Sequence, residues 1–406
     1  MDRKPWIHLE TVTPAFIGTS NPQCAEWSAK GIRGQLRWWF RAVGGGVCGG
    51  DADEVRRLEL EVFGGMATRS DDARASSLRI IAPPIISGEF VAKHGVEGRA
   101  LDANALAEAW KVEQADRRAV TRRLDVAGRT NPLGYLGYGP IEYDKSVKKS
   151  VYSRGRIPER VKLSMRFQWN PEAEGNAKTI FDRALWCWIN LGGIGARSRR
   201  GFGSLVRIDA AKINTFRDFD EGVRHNVADA RNATSAEWTH FTSRTHVFRS
   251  RSGYEKWEDA MTAAGAWLIA FRRRYGANRD ERIAIRGRDY EWFKSDLRAE
   301  VPDRVGFGLP LPFGKSRSGQ PLGAAWGEKE GRRASPLLIH IARFGAGNHY
   351  VILTHIPARL VRDRDEIHFK TERLNVKSSV TRQQETIVDA FLTDLKDRAK
   401  LIEEIL

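Results

Sequence analysis

The sequence predicts an α+β protein made of two ferredoxin-like (RRM-like) domains, and three observations predict it. Residues up to about 215 read as strand, helix, two or more strands, helix, glycine-rich loop and strand, the β-α-β-β-α-β order of that fold. A second run of strand, long helix, hairpin and terminal helix fills residues 236–406. A glycine-rich loop at 192–204 joins the last helix of the first run to its last strand. The expected organisation is an N-terminal domain over 1–215, carrying a basic insertion at about 88–158, and a C-terminal domain over 236–406.

The elements follow in order. Residues 6–17 predict a strand in which Ile7, Leu9 and Thr11 face one way and His8 and Glu10 the other. Residues 30–43 predict a helix with Ile32, Leu36, Trp39 and Val43 as its apolar stripe. Gly44–Gly50 reads as a glycine-rich exit from it, and residues 76–86 as a strand interrupted by prolines. A helix-like stretch at Leu101–Lys111 precedes the turn-rich aromatic segment Asn131–Pro140. Residues 145–160 are densely basic around Tyr152 and suggest a mobile nucleic-acid arm, with Lys148, Lys149 and Arg154 as contacts. A strand at 161–169, a helix at 179–191 and a strand at 204–208 close the first half, and Arg231–Ser235 reads as a linker. Beyond it, residues 237–248 predict a strand, 254–275 a helix, and 335–342 with 349–356 a hairpin. Residues 383–406 predict an amphipathic terminal helix, which leaves the last strand of the second half unassigned.

The loop carries the chemistry. Arg197, Arg199 and Arg200 are fork-shaped donors suited to phosphate, Ser198 adds a hydroxyl, and Phe202 offers a face for a base. Gly192, Gly193, Gly195, Gly201 and Gly203 give a permissive backbone, with Gly192 and Gly193 expected as a left-handed helix cap. A P-loop or Rossmann turn runs strand, loop, helix and seats phosphate on a helix N-terminus. Here the order is helix, loop, strand, so a mononucleotide site is rejected and the arginines must supply the attraction.

A formal net charge of +16, from 67 Lys and Arg against 51 Asp and Glu, points to an acidic partner, most often nucleic acid. Arg33, Arg37 and Arg41, preceded by Lys30, form a like-charged row at helical spacing that an anion should offset. That anion is either nucleic-acid phosphate or a carboxylate of the same fold, Glu59 or Glu61, and the sequence leaves both open. Three dispersed cysteines suit a reducing compartment and offer neither a disulfide framework nor a zinc motif, so no metal or cofactor is expected. No apolar run approaches the roughly 18 residues of a spanning helix, so no membrane role is expected. The histidines (His8, His94, His225, His240, His246, His340, His349, His355 and His368) stand in no motif with a second catalytic partner, and Asp71-Asp72 reads as a solvated turn. A protein scaffold with a basic surface is the rival to nucleic-acid binding.

These motifs resemble the RAMP superfamily of CRISPR proteins, which pairs ferredoxin-like domains with a glycine-rich loop. Thr13–Gly18, Ile32–Arg41, Phe63-Gly64-Gly65, Leu136–Gly139, Gly308-Leu309-Pro310 and Ser335-Pro336-Leu337 are similar to the first-numbered subunits of type III-B Cmr effector complexes. The resemblance implies a cytoplasmic subunit for antiviral defence that contacts the 3′ part of the guide RNA (crRNA), helps capture target RNA and sits beside other Cmr-type subunits. It also implies binding without catalysis, with another subunit cutting the target; the rival it brings is a metal-independent, histidine-based endoribonuclease that processes guide-RNA precursors, as some RAMP proteins do.

Overall fold

The computed structural model describes residues 2–3, 5–66, 73–87, 101–102, 104–105, 108, 131–173, 175–274, 303–309, 311–313, 323–326, 333–344, 347–359, 366–371, 375–379 and 382–406. Asp71-Asp72, His94, most of Leu101–Lys111 and residues 314–319 lie outside them. The chain mixes helices with antiparallel sheets. Its strands are β1 (Asp2–Arg3), β2 (Ile7–Thr11), β3 (Ala25–Trp27), β4 (Leu78–Ile81), β5 (Ile85–Ser87), β6 (Ile141–Asp144), β7 (Lys149–Tyr152), β8 (Lys162–Trp169), β9 (Leu205–Arg207) and β10 (His246–Ser250). They continue with β11 (Leu311–Phe313), β12 (Gly323–Trp326), β13 (Leu337–Phe344), β14 (Asn348–His355), β15 (Glu366–Thr371), β16 (Asn375–Ser379) and β17 (Ile402–Glu404). The helices are α1 (Ala29–Val47), α2 (Ala52–Phe63), α3 (Pro132–Leu136), α4 (Gly175–Leu191), α5 (Phe216–Val227), α6 (Trp257–Arg274) and α7 (Arg382–Thr393).

The first sheet is ordered β4-β8-β2-β9, with β1 also on β8, and all its pairs are antiparallel. Ile7, Leu9 and Thr11 are buried while His8 is exposed, as period-2 alternation requires. Beyond Thr11 the pairing passes into the loop before β9: Val12 N donates to Ser204 O at 2.8 Å and the Thr13 hydroxyl to Gly201 O at 2.7 Å. Helices α1, α2 and α4 supply the core of this half, where Phe181 stacks edge-on against Phe167 and Trp169 at 5.0 and 5.1 Å.

The second sheet is ordered β13-β14-β10-β17, again antiparallel throughout. Ile339, Ile341, Val351 and Leu353 face Met261 and Leu268 of α6 and Phe391 of α7. The other face of the hairpin, with Leu338, Ala342, Phe344 and Ile352, joins the core of the first half. Phe344 meets Phe219 of α5 at 5.1 Å. Burial on both faces is why β13 and β14 carry apolar residues on both faces and lack the alternation of a half-exposed strand. Arg343 and Glu10 close the seam with a 2.7 Å ion pair. A third sheet, β11-β12-β15-β16, has no counterpart in the sequence reading.

Five expectations about the elements are corrected. Helix α1 runs on through Gly44–Gly46, because those glycines let residues 230 and 238–241 lie against it; a β-carbon on Gly46 would sit 1.7 Å from Ala230 O. That contact also turns residues 237–245 away from strand geometry, with Phe241 N donating to Ala42 O, so the strand is 246–250. The terminal helix is α-helical to Thr393 and continues as a π-helical turn to Arg398; Lys400 takes φ 52°, and residues 402–404 return as β17 on the open edge of β10, supplying the missing strand. The basic segment is no loose arm but the hairpin β6–β7, pinned by buried Ile141 and Tyr152. The stretch 231–235 is likewise packed, with Ala233 buried and Arg231 Nε donating to Thr242 O at 3.1 Å.

Candidate nucleic-acid interface

The loop after α4 lies where the two halves meet, and its backbone is held from both sides. From the first half, Ala196 N donates to Phe16 O and Gly203 N to Pro14 O, each at 2.8 Å. From the second, Ile339 N donates to Arg199 O and Ile341 N to the Ser204 hydroxyl, at 3.1 and 3.0 Å. His340 donates from Nδ1 to Gly192 O at 2.7 Å, and burial pushes its pKa down to about 4, so it is a neutral strut at pH 7. Gly195 and Gly203 adopt φ 87° and 68°, and a β-carbon on Gly203 would lie 2.0 Å from Ile194 O. These glycines serve close packing within the chain. Neither Gly192 nor Gly193 takes the expected left-handed cap; the chain leaves α4 pressed on Trp39 and Trp188, and Gly193 lies against Phe202 and Gly203. Gly201 is packed on Met261 of the second half.

The pinned loop presents its arginines differently. Arg197 is exposed, at φ 63°. Arg199 lies 4.6 Å over the Trp38 ring, and its Nη1 donates to Ser335 O at 2.7 Å. Arg200 and Ser198 are half-buried. Burial pushes Arg199 and Arg200 down to about 10, and Arg333 adds to the effect on Arg199. Burial and Arg200 lower Arg197 as well, while the Tyr138 phenol acts the other way. All three still carry charge at neutral pH. Among the described residues, no carboxylate pairs with any of them. An incoming anion would therefore relieve a cost the fold already bears. Phe202 is corrected: it is fully buried, 5.2 Å from Phe16, and offers no face to a base.

The arginine row on α1 has the opposite surroundings. Arg37 Nε donates to Glu59 Oε1 at 2.7 Å, and Arg41 lies 3.7 Å from the same buried carboxylate. Arg33 donates to Phe63 O, and burial lowers its pKa. The fold thus supplies an internal carboxylate, Glu59 on α2, for Arg37 and Arg41. Lys30 is exposed at the start of α1, next to Gly31, which approaches Ile194 of the loop.

The basic hairpin is brought to the loop through one strip of chain. Ala15 N donates to Ile157 O at 2.9 Å and Phe16 O accepts from Ala196 N at 2.8 Å, so residues 15–16 lie between the two. Exposed Arg154 precedes this contact, and Arg156 covers the Tyr152 ring at 3.9 Å. Lys148 and Lys149 are exposed at the hairpin tip. Trp38 and Arg333, which stack on and repel Arg199, were invisible to sequence reasoning because no local spacing links them to the loop.

Several other described histidines also make contacts within the chain. His349 contacts Tyr254 O and Glu255 O, His240 contacts Trp238 O, and His246 and His355 pair with Glu404 and Asp389 at 2.8 and 2.9 Å. Exposed His8 meets the Ser164 hydroxyl at 3.0 Å, and His225 lines a cavity between α4 and α5. Among the described residues no His, Cys, Asp and Glu side chains gather as a metal-ligand set, and no helix is long and apolar enough to cross a membrane.

Residues 8–206, from β2 to β9 and including the loop, match the RAMP superfamily. The chain is similar to the Pyrococcus furiosus CRISPR system Cmr subunit Cmr1-2, at 27% identity over 207 residues, 48% of this chain and 91% of that protein. It is also similar to Cmr subunit Cmr1-1 of the same organism, at 24% identity over 208 residues, 50% of this chain and 48% of the relative. The crystal structure of P. furiosus Cmr1 in its apo form aligns over 98% of both chains with a TM-score of 0.50 at 16% identity, a likeness of fold.

Proposed function

This chain is a RAMP-superfamily CRISPR protein similar to the Cmr1 subunits, and on that premise we propose that it is a non-catalytic, RNA-holding subunit of a type III-B effector complex. In this reading it contacts the 3′ part of the guide RNA and helps capture target RNA, as part of cytoplasmic antiviral defence, beside other Cmr-type subunits. The observation that carries the reading is the loop triplet Arg197, Arg199 and Arg200, charged, partly desolvated and without a carboxylate partner among the described residues. Exposed Lys30, Lys148, Lys149 and Arg154 extend the positive surface around it. Phosphate contacts of this kind position a strand, while pairing between guide and target reads the sequence.

The strand orders β9-β2-β8-β4 and β17-β10-β14-β13 support two ferredoxin-like units, 1–215 and 236–406, each with its first strand inside and its last at the edge. The histidine contacts support the non-catalytic part, because six ring environments are occupied by internal partners.

The test is single-stranded RNA binding by the purified chain over a salt series, with cleavage read from the same samples. Binding is expected to weaken with log salt at about −0.7 per phosphate neutralised, without cleavage. The Arg197→Ala, Arg200→Ala double variant should flatten that slope by about 1.4. An unchanged slope removes the loop from the RNA path, and cleavage lost on a single histidine substitution replaces this reading with a processing endoribonuclease.

A further inference from the structure

With Phe202 sealed in the core, the loop lacks the aromatic face that single-strand binding sites use. One stands beside it. Tyr138 is 59% exposed, an unusual state for a large ring held on rigid backbone. It sits in the turn between α3 and β6, where Ile141 N donates to Gly137 O at 2.8 Å and the Ser153 hydroxyl donates to Gly139 O at 2.8 Å. The buried ring of Phe202 supports this turn from below, since a β-carbon on Gly137 would lie 3.1 Å from Phe202 Cε2. The Arg197 guanidinium reaches the same turn, with a β-carbon site on Gly139 lying 3.5 Å from its Nη2. The Tyr138 phenol also tempers the lowering of the Arg197 pKa, as its proximity requires. An exposed ring and an exposed guanidinium thus stand at the same turn.

We infer that Tyr138 is a base-stacking residue for single-stranded RNA, acting beside Arg197, which holds the adjoining phosphate. The inference rests on the RNA-holding reading above and adds to it where a base is gripped. Stacking carries no sequence preference, because every base has a π-face. That suits a subunit whose RNA is read by pairing with another strand.

The test compares wild type, Tyr138→Ala and Tyr138→Phe for binding of a short oligouridylate and of the same backbone with abasic sites. Tyr138→Ala should loosen the oligouridylate about 5- to 150-fold, the range that one stacked base spans. Tyr138→Phe should keep wild-type affinity. The abasic strand should bind wild type and Tyr138→Ala equally, and the salt slope should not move, because the ring neutralises no phosphate. Thermal melting of each variant checks folding, which an exposed side chain should leave intact. Equal oligouridylate binding by wild type and Tyr138→Ala overturns the inference, as does equal weakening on intact and abasic strands. If the Arg197→Ala, Arg200→Ala variant still loses affinity in that case, the RNA-holding reading stands alone; absence of binding by wild type overturns both.

Discussion

Two arginine triplets that look alike in the sequence end in opposite environments. On α1, Arg37 and Arg41 close on the buried carboxylate of Glu59, and Arg33 on the carbonyl of Phe63. On the loop after α4, Arg197, Arg199 and Arg200 lose solvent without gaining a carboxylate among the described residues; burial lowers all three pKa values, and Arg200 adds to the effect on Arg197 and Arg199. A row of like charges therefore says only that an anion is needed. Whether the fold itself supplies that anion is what distinguishes the two triplets.

The sharpest way to break this contrast is at the backbone that holds the loop. Gly203→Ala places a β-carbon against Ile194 O at a positive φ, and should cost at least about 3 kcal/mol in chemical denaturation. A cost below about 1 kcal/mol would mean the loop is not clamped as described. Next comes the loop double variant, Arg197→Ala with Arg200→Ala. It should lose roughly 100-fold in RNA affinity at low salt, about 1.4 kcal/mol for each charge-assisted contact, with little change in stability. The α1 row should behave in reverse. Arg37→Ala leaves Glu59 with only the longer contact to Arg41, so stability should fall by about 2 kcal/mol while the salt slope of RNA binding holds. If that slope flattens instead, the two triplets share the RNA.

The smallest effect is a pH dependence at the seam. The folded-state pKa of His340, about 4, lies below the usual histidine value. The unfolded chain therefore takes up the proton first as pH falls, and the stability held above about pH 6.5 is lost between there and pH 4. His340→Gln should flatten denaturation curves across that window, by roughly 1–2 kcal/mol at pH 5.

Legibility followed the range of the cause. Alternation in Ile7–Thr11, helical stripes in α1, α4 and α6, and the β13–β14 hairpin are local patterns, and the sequence showed them. Helix α2 was missed although Asp51 caps it, accepting from Asp53 N and Glu54 N, because Leu58–Phe63 alternates as a strand would. The continuation of α1 through three glycines was missed because its cause is a segment 200 residues away. Among site residues, the arginines were legible as charges. The burial of Phe202 and the exposure of Tyr138 were not, since both are aromatics in glycine-rich surroundings.

What the sequence determined by itself is the α+β class, the helix-loop-strand order around the glycines and the positive charge, because each depends on near neighbours or on composition. Tertiary structure alone decided that β17 completes the second sheet, that the β13–β14 hairpin serves both cores and that Glu59 takes Arg37 and Arg41 of the α1 row while the loop triplet meets no carboxylate among the described residues. Each of those depends on which distant groups meet. A guanidinium has the same charge in either place, and only the fold determines whether a carboxylate stands within reach of it.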